Sequence, residues 1–213
     1  MTGTVNRWVE PAWARRYLGE RDAIPHRSEG VTVFGELLPE RVERVLDLGT
    51  GDGFLLGVVR DLRPECTGVG VDFSEEMLGR ARERFAGDPS VEIREQDLSD
   101  PLADDLTGFD LVVSSFAIHH VSDARKRALY GEVFDRLQPG GTFLNLEHVA
   151  SATEALHVEF LAAIGKTPAE DDPSNQLAPV GDQVEWLRDL GFVDVECFWK
   201  WRELALLGGR RPA

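Results

Sequence analysis

Asp47, Gly49, Thr50, Gly51, Asp52 and Gly53 fall within one short turn of the stretch VLDLGTGDGFLLGVV (45–59), between an apolar run and an apolar helical pattern. Glycines at that density let a chain turn sharply and let a ligand lie directly against the backbone. The order is Gly49-x-Gly51-x-Gly53, and the place five residues after Gly49 holds Phe54. A dinucleotide turn wants its third glycine there, to pack helix on strand and leave amides for a pyrophosphate. Asp47 and Asp52 flank the turn; they would repel a pyrophosphate and attract a cation. The chemistry indicated is the binding of an ammonium or sulfonium ligand that carries an adenosine. An NAD-dependent oxidoreductase, the rival enzyme reading, lacks the glycine spacing it needs.

Further candidates stand at the ends of later apolar runs. Asp72 lies nineteen residues beyond Gly53, where a carboxylate can accept hydrogen bonds from both hydroxyls of a ribose. Its plainer use, capping the next helix, is one that Ser74 already offers. Gln96, Asp97 and Leu98 close a third run, and a carboxylate there can accept the exocyclic amine of adenine. Phe73, Met77 and Leu98 supply an apolar slot for the base. His119 and His120 follow a fourth run, at the rim where an acceptor would stand. They are read either as a general base or acceptor-orienting group, or as packing at a strand-to-helix turn. Glu147 and His148 end a fifth run facing the same rim, as pocket lining or as core. Trp199 and Trp201 share a face at period two and read as core or sheet-edge packing rather than as a substrate-stacking platform.

The elements that would position these groups follow from the apolar periodicity. RVLDLG (44–49), TGVGVD (67–72), VEIREQD (91–97), FDLVVSS (109–115) and TFLNLEHV (142–149) read as strands. Between them, 54–62, 74–85 and 122–138 read as helices, the last stopped by Pro139-Gly140-Gly141. Strand and helix alternating at this spacing imply right-handed crossovers and a parallel sheet covered on both faces. Residues 1–40 are helix-like, with Trp8, Trp13 and Tyr17 on one side; residues 151–165 look helical and lead into the polar loop GKTPAEDDPSNQLAP. Both are expected to cap the carboxyl end of the sheet, where ligands bind in open α/β folds. Residues 182–192 read as a helix ended by Gly191. VDVECFWKW and ELALLGG then follow each other too closely for a helical crossover, so an antiparallel hairpin at one sheet edge is expected.

VLDLGTGDG (45–53), GVDFSEEML (70–78), REQDL (94–98), FDLVVSSFAIHHV (109–121) and LQPGGTFLNLEH (137–148) together resemble the class I S-adenosylmethionine-dependent methyltransferases. The similarity is close over residues 40–150, and it is nearest to the small-molecule branch typified by ubiquinone and menaquinone biosynthesis enzymes. The resemblance implies a Rossmann-like, doubly wound α/β fold: a mostly parallel seven-stranded sheet with an antiparallel C-terminal hairpin and a helical cap. It implies four parts: a cap at 1–40, a cofactor-binding core at 41–150, a helix-and-loop insertion over the acceptor site at 151–180, and a terminal helix and hairpin at 181–213. It implies S-adenosyl-L-methionine as cofactor and S-adenosyl-L-homocysteine as product. Gly49, Thr50, Gly51 and Gly53, with Asp47, would hold the methionine part, Asp72 the ribose, and Gln96, Asp97 and Leu98 the adenine. Ser114, Ser115 and Phe116 would line the methyl group. Arg27 is a candidate partner for the methionine carboxylate, with a solvated surface arginine as the plainer reading.

The totals bound the remainder. The 213 residues carry a formal charge of −15, which repels phosphate backbones and argues against non-specific nucleic-acid binding. Arg80, Arg82 and Arg84 read as the solvated face of a helix. Cys66 and Cys197 have no metal-ligand or redox spacing and read as small buried hydrophobes. No metal is expected. No signal-peptide pattern or membrane-length apolar run is present, so a cytoplasmic monomer or homodimer is expected. A small-molecule methyl acceptor is the leading expectation. A tRNA-modifying methyltransferase and a catalytically silent regulatory protein that binds the same cofactor stay open beside it.

Overall fold

A computed structural model describes residues 24–213. Trp8, Trp13 and Tyr17, and most of the N-terminal cap expected at 1–40, lie outside the described residues. The first described helix, α1 (Arg27–Glu36), precedes an alternation of β1 (Arg44–Leu48), α2 (Phe54–Leu62), β2 (Thr67–Asp72), α3 (Glu75–Arg84), β3 (Val91–Glu95) and β4 (Phe109–Ser115). A 3-10 turn (Ile118–His120), α4 (Asp123–Arg136), β5 (Leu137–His148) and α5 (Glu154–Ala163) follow, then α6 (Val180–Asp189), β6 (Val193–Trp201) and β7 (Leu204–Arg210). The strands form one seven-stranded sheet in the order β3-β2-β1-β4-β5-β7-β6. β1 to β5 are mutually parallel, and β7 inserts antiparallel between β5 and β6. The expected edge hairpin is therefore present. The order reverses between β1 and β4, which is the switch point where a ligand crevice opens at the carboxyl ends of the strands.

Burial on both faces explains why β1 reads as an unbroken apolar run. Val45 faces a layer built from Phe34, Leu55, Leu56 and Val59 of α1 and α2. Leu46 and Leu48 face the opposite layer, with Leu129, Tyr130, Val133 and Leu187 of α4 and α6. α1 therefore lies on a sheet face rather than over its carboxyl end: Gly30 sits so close to Trp199 and Leu146 that a Cβ would come within 2.8 Å of the indole. Only the N-terminal end of α1, at Arg27, reaches the strand tips. Trp199 is core packing, as expected, and Trp201 stacks on His26 with ring centroids 4.5 Å apart.

Two boundaries differ from the sequence reading. Pro139-Gly140-Gly141 does not separate helix from strand. It lies inside β5, whose pairing with β4 is interrupted between Phe109 and Leu111 and resumes at Thr142. The amide that proline lacks is spared by this irregularity. Ser74 occupies the cap position of α3 but its side chain caps nothing; Asp72 accepts from the Ser74 amide, just ahead of the helix. Among the described residues, no helix is long and apolar enough to cross a membrane. Cys66 and Cys197 are both free thiols, the first buried.

Candidate functional site

The turn after β1 is held open by its own side chains. Gly49 and Gly51 have φ of 67° and 56°, the left-handed region that a Cβ disfavours. At Gly49 a Cβ would lie 2.1 Å from Ala117 Cβ, whereas at Gly51 it would meet nothing within 4 Å, because that face looks into the cleft. Asp47, buried under the turn, accepts hydrogen bonds from Thr50 Oγ1 at 2.7 Å and from the Leu56 amide at 3.2 Å, both on Oδ2. Its Oδ1 is buried without a hydrogen-bond partner among the described residues. Burial pushes the Asp47 carboxyl up to about 7; the bonds from Thr50 and Leu56 only partly offset this, and Asp72 and Asp52 add to it.

Asp72 ties the second strand to the same turn. Its Oδ2 accepts from the Gly51 amide at 2.9 Å and its Oδ1 from the Ser74 amide at 2.9 Å. The Phe73 amide adds to these bonds, and the carboxylate keeps acceptor capacity beyond them. Burial raises its pKa against those amide bonds. After β3, the Gln96 side chain braces the loop it begins, donating to the carbonyls of Asp97 and Pro101 and accepting from the Ala103 amide. Asp97 is exposed, with Oδ1 accepting from the Ser99 amide at 2.8 Å.

The β4 tip supplies the far wall. Phe116 sits at φ 53°, a strained setting for a bulky residue and one that recurs at functional sites. Its ring lies 4.9 Å from the Arg27 guanidinium, which also reaches to 5.5 Å from the Phe54 ring. Arg27 is only 6% exposed, so the surface-arginine reading does not hold. His120 stands in the wall, and His119 lies behind it with ring centroids 4.0 Å apart. His119 Nδ1 lies 2.6 Å from Glu147 Oε1 in full burial. Burial drives the His119 imidazolium far below its ordinary pKa and pushes Glu147 up to about 7.

Together these groups enclose a cleft of about 840 Å³, part of it open to solvent. Arg27, Asp47, Gly49, Thr50, Gly51, Asp72, Phe73, Met77, Gln96, Asp97, Leu98, Ser115, Phe116 and His120 all line it, as the sequence suggested. Gly53, Ser114 and His119 do not, and neither do Glu147 and His148. Gly53 makes room for Phe85, 2.6 Å from where its Cβ would be. Ser114 Oγ donates to the Leu48 carbonyl at 2.8 Å, stitching β4 to β1. His148 pairs with the buried Glu203 at 2.9 Å, away from the cleft. Asp52, flagged beside the turn, lines it too, and Phe54, Leu55, Ser99, Ala117 and Val121 complete the lining without having been singled out. Only the helical start at Phe54 could have been read, since its ring rises from the turn. Arg84 is exposed, as expected of a solvated helix face, and also donates to the Asp52 carbonyl and carboxylate at 2.8 and 3.0 Å. Among the described residues no cluster of His, Cys, Asp or Glu is arranged to hold a metal ion.

Four carboxylates and one guanidinium in a deep, partly apolar cleft suit a ligand with a cationic centre, a carboxylate and a flat ring. Comparison with known proteins points the same way. Residues 45–141 match the model of a methyltransferase domain. A carboxy-S-adenosyl-L-methionine synthase of Nautilia profundicola is 23% identical over 201 residues, covering 86% of this chain and 85% of that protein. A ubiquinone/menaquinone biosynthesis C-methyltransferase of Geobacter sulfurreducens is 39% identical over 110 residues, 49% of this chain and 41% of that one. An O-methyltransferase family protein from Burkholderia thailandensis shares the fold at a TM-score of 0.75 and 23% identity, over 97% of this chain and 62% of the other. The chain thus spans less than two thirds of the latter two proteins.

Proposed function

Because this chain belongs to the class I S-adenosylmethionine-dependent methyltransferases, we propose that it moves a methyl group from that sulfonium to a small-molecule nucleophile. The observation that carries the reading is Asp47: a buried carboxylate oxygen with no hydrogen-bond partner among the described residues, at the edge of the cleft. An unsatisfied buried acceptor costs on the order of 1–3 kcal/mol, which an ammonium donor would relieve. The open face of Gly51 gives the ligand direct access to the backbone beside it.

The residues fit the cofactor as follows. Asp47 takes the amino group of the methionine part and Arg27 its carboxylate, across the turn of Gly49, Thr50 and Gly51. The remaining lone pairs of Asp72 take the ribose hydroxyls. Asp97 takes the adenine amine, with Phe73, Met77 and Leu98 around the base. Ser115 and Phe116 border the methyl group. When bound, the sulfonium supplies an electrophilic methyl carbon and a neutral thioether leaving group. The protein's share is alignment and exclusion of water, and orientation alone can contribute several orders of magnitude. The negative charge of the chain, −15 overall, and the acids of the cleft support a small molecule over RNA as acceptor. The insertion at 151–180, which touches His119 and His120 from outside, supports its role as an acceptor-side cap. The two free thiols suit a reducing compartment, which supports a cytoplasmic location.

The deciding experiment incubates the protein with methyl-labelled S-adenosylmethionine and a fractionated cell extract. Label in the small-molecule fraction supports the proposal. Label confined to RNA or protein overturns the acceptor class, and absence of binding in titration calorimetry overturns the cofactor.

A further inference from the structure

The insertion that reaches the rim of the cleft is also fastened to a histidine of α5. At the rim, the Gln176 amide donates to the His119 carbonyl and the Gln176 side chain to the His120 carbonyl, each at 2.8 Å. The buried Lys126 ammonium donates to the Gln176 carbonyl. Asp171 ties this turn to α5: its Oδ1 accepts from the Asn175 side chain at 3.1 Å, and its Oδ2 lies 3.3 Å from His157 Nε2. The other ring nitrogen, Nδ1, lies 3.0 and 3.1 Å from the two oxygens of Glu203, in the turn between β6 and β7. Glu203 is fully buried, and its Oε2 also meets His148 Nε2 at 2.9 Å. A carboxylate accepts hydrogen bonds and donates none, so His157 Nδ1 bears a proton for Glu203. A neutral ring would then turn the lone pair of Nε2 toward the Asp171 carboxylate. Two negative charge densities at 3.3 Å repel, and a second proton converts that repulsion into attraction. Burial opposes a charge on His157, but the Glu203 bond and the carboxylates of Glu203, Asp171 and Glu154 outweigh it and hold the ring above its ordinary pKa.

We propose that His157 is a positioning residue, an imidazolium clasp that holds the acceptor-side insertion to α5 and the β6–β7 turn and releases Asp171 when Nε2 loses its proton. The inference rests on the methyl-transfer reading for the insertion's place beside the acceptor. Burial decides which bond breaks. Glu203 has no solvent to turn to, so the neutral ring keeps its remaining proton on Nδ1. The Asp171 side chain is 27% exposed and can exchange His157 for water. His157 and Asp171 both line a second hollow that is open to solvent, so the departing proton has a way out. The charged or titratable groups about the ring are Glu154 on its own helix, Glu203 with His148 of β5 behind it, and Asp171 and Asp172 on the insertion. Because the folded pKa lies above the unfolded one, the clasp is complete below the unfolded value and is lost as pH rises through the folded value. Its loss removes the tie from Asp171 to α5, and the turn that carries Gln176 loosens.

The test uses the full chain labelled with nitrogen-15 histidine, which has five histidines. The His157 signals are assigned by their loss in His157→Gln. At about pH 6 both ring nitrogens should bear protons, and the midpoint should lie above the ordinary value of about 6.5. Beyond it, the proton should leave Nε2 and stay on Nδ1. Asp171→Asn should lower the midpoint by about one unit, and Asp171→Glu, which keeps the charge, should hold it. A wild-type midpoint at or below the ordinary value, first loss of the Nδ1 proton, or a midpoint that Asp171→Asn leaves unmoved overturns the clasp. Hydrogen exchange reads the insertion itself. The protection factor of the Gln176 amide should fall several-fold as pH crosses the His157 midpoint, and should be low throughout in Asp171→Asn; protection that ignores the midpoint overturns the release. Asp171→Asn should bind S-adenosylmethionine as wild type does in calorimetry, yet transfer label several-fold more slowly at saturating cofactor. Lost cofactor affinity or unchanged transfer overturns the acceptor-side assignment. The nitrogen spectrum and the exchange need no cofactor, so failure of the clasp and failure of methyl transfer read out separately.

Discussion

Asp47 and Asp72 show how one carboxylate can have its role legible in the sequence and its partners hidden. Their positions at the tips of successive strands marked both as ligand groups. That Asp72 also holds the Gly51 amide, across 21 residues of chain, came only from the fold. Because Asp72 Oδ2 braces the turn through the Gly51 amide, Asp72→Ala should weaken cofactor binding by about tenfold or more, partly through loss of the turn's shape. Asp72→Asn, which keeps one acceptor, should lose less; calorimetry on both variants checks this. At Asp47 the sign of the pH effect is defined. Its carboxyl titrates at about 7 in the free protein, and an ammonium ligand pairs with the ionised form. Affinity should therefore fall as pH drops below 7, by at most about tenfold per unit, with proton release on binding. Asp47→Asn should abolish both the slope and the proton release, and a flat wild-type profile would refute the pairing.

The glycine turn, an element in its own right, carries two different constraints that the sequence writes with the same letter. Both Gly49 and Gly51 need positive φ, but only Gly49 presses on a neighbour. Gly49→Ala should lower stability by about 3 kcal/mol, from strain plus overpacking against Ala117. Gly51→Ala should cost only about 1 kcal/mol of stability and yet greatly reduce cofactor affinity, since its methyl enters the cleft. Urea unfolding paired with calorimetry separates the two. The same ambiguity explains Gly53, which makes room for Phe85 and does not line the cleft. Helix and strand bounds were readable because apolar periodicity is local: α2 spans 54–62 and β4 spans 109–115, as expected. Pro139-Gly140-Gly141 was misread because a break in a ladder and a break between elements use the same residues.

Across the whole molecule, buried acids whose carboxyls are raised by burial shape the pH response of stability. Glu147 is fully buried and its carboxyl sits at about 7 against an ordinary 4.5, mainly through burial. Between those values the folded state holds more protons than the unfolded one, so stability falls as pH rises, by about 3 kcal/mol from this group. Asp47 acts in the same direction. Glu147→Gln should flatten the decline between about pH 5 and 7 in denaturant midpoints; an unchanged slope would show that Glu147 titrates normally. Sequence by itself determined the alternation of elements, the parallel sheet with its reversed edge, the bare turn and the acids at the strand tips, because each is encoded over a few consecutive residues. Only the tertiary structure decided that Arg27 is buried against two aromatic rings, that His119 backs His120 instead of lining the cleft, and that Ser174 and Asp172 reach His120. Those contacts join residues 27 and 116, 119 and 147, 120 and 174. Pairings at such separations leave no periodic trace in the chain; they exist once the packed layers bring the segments together.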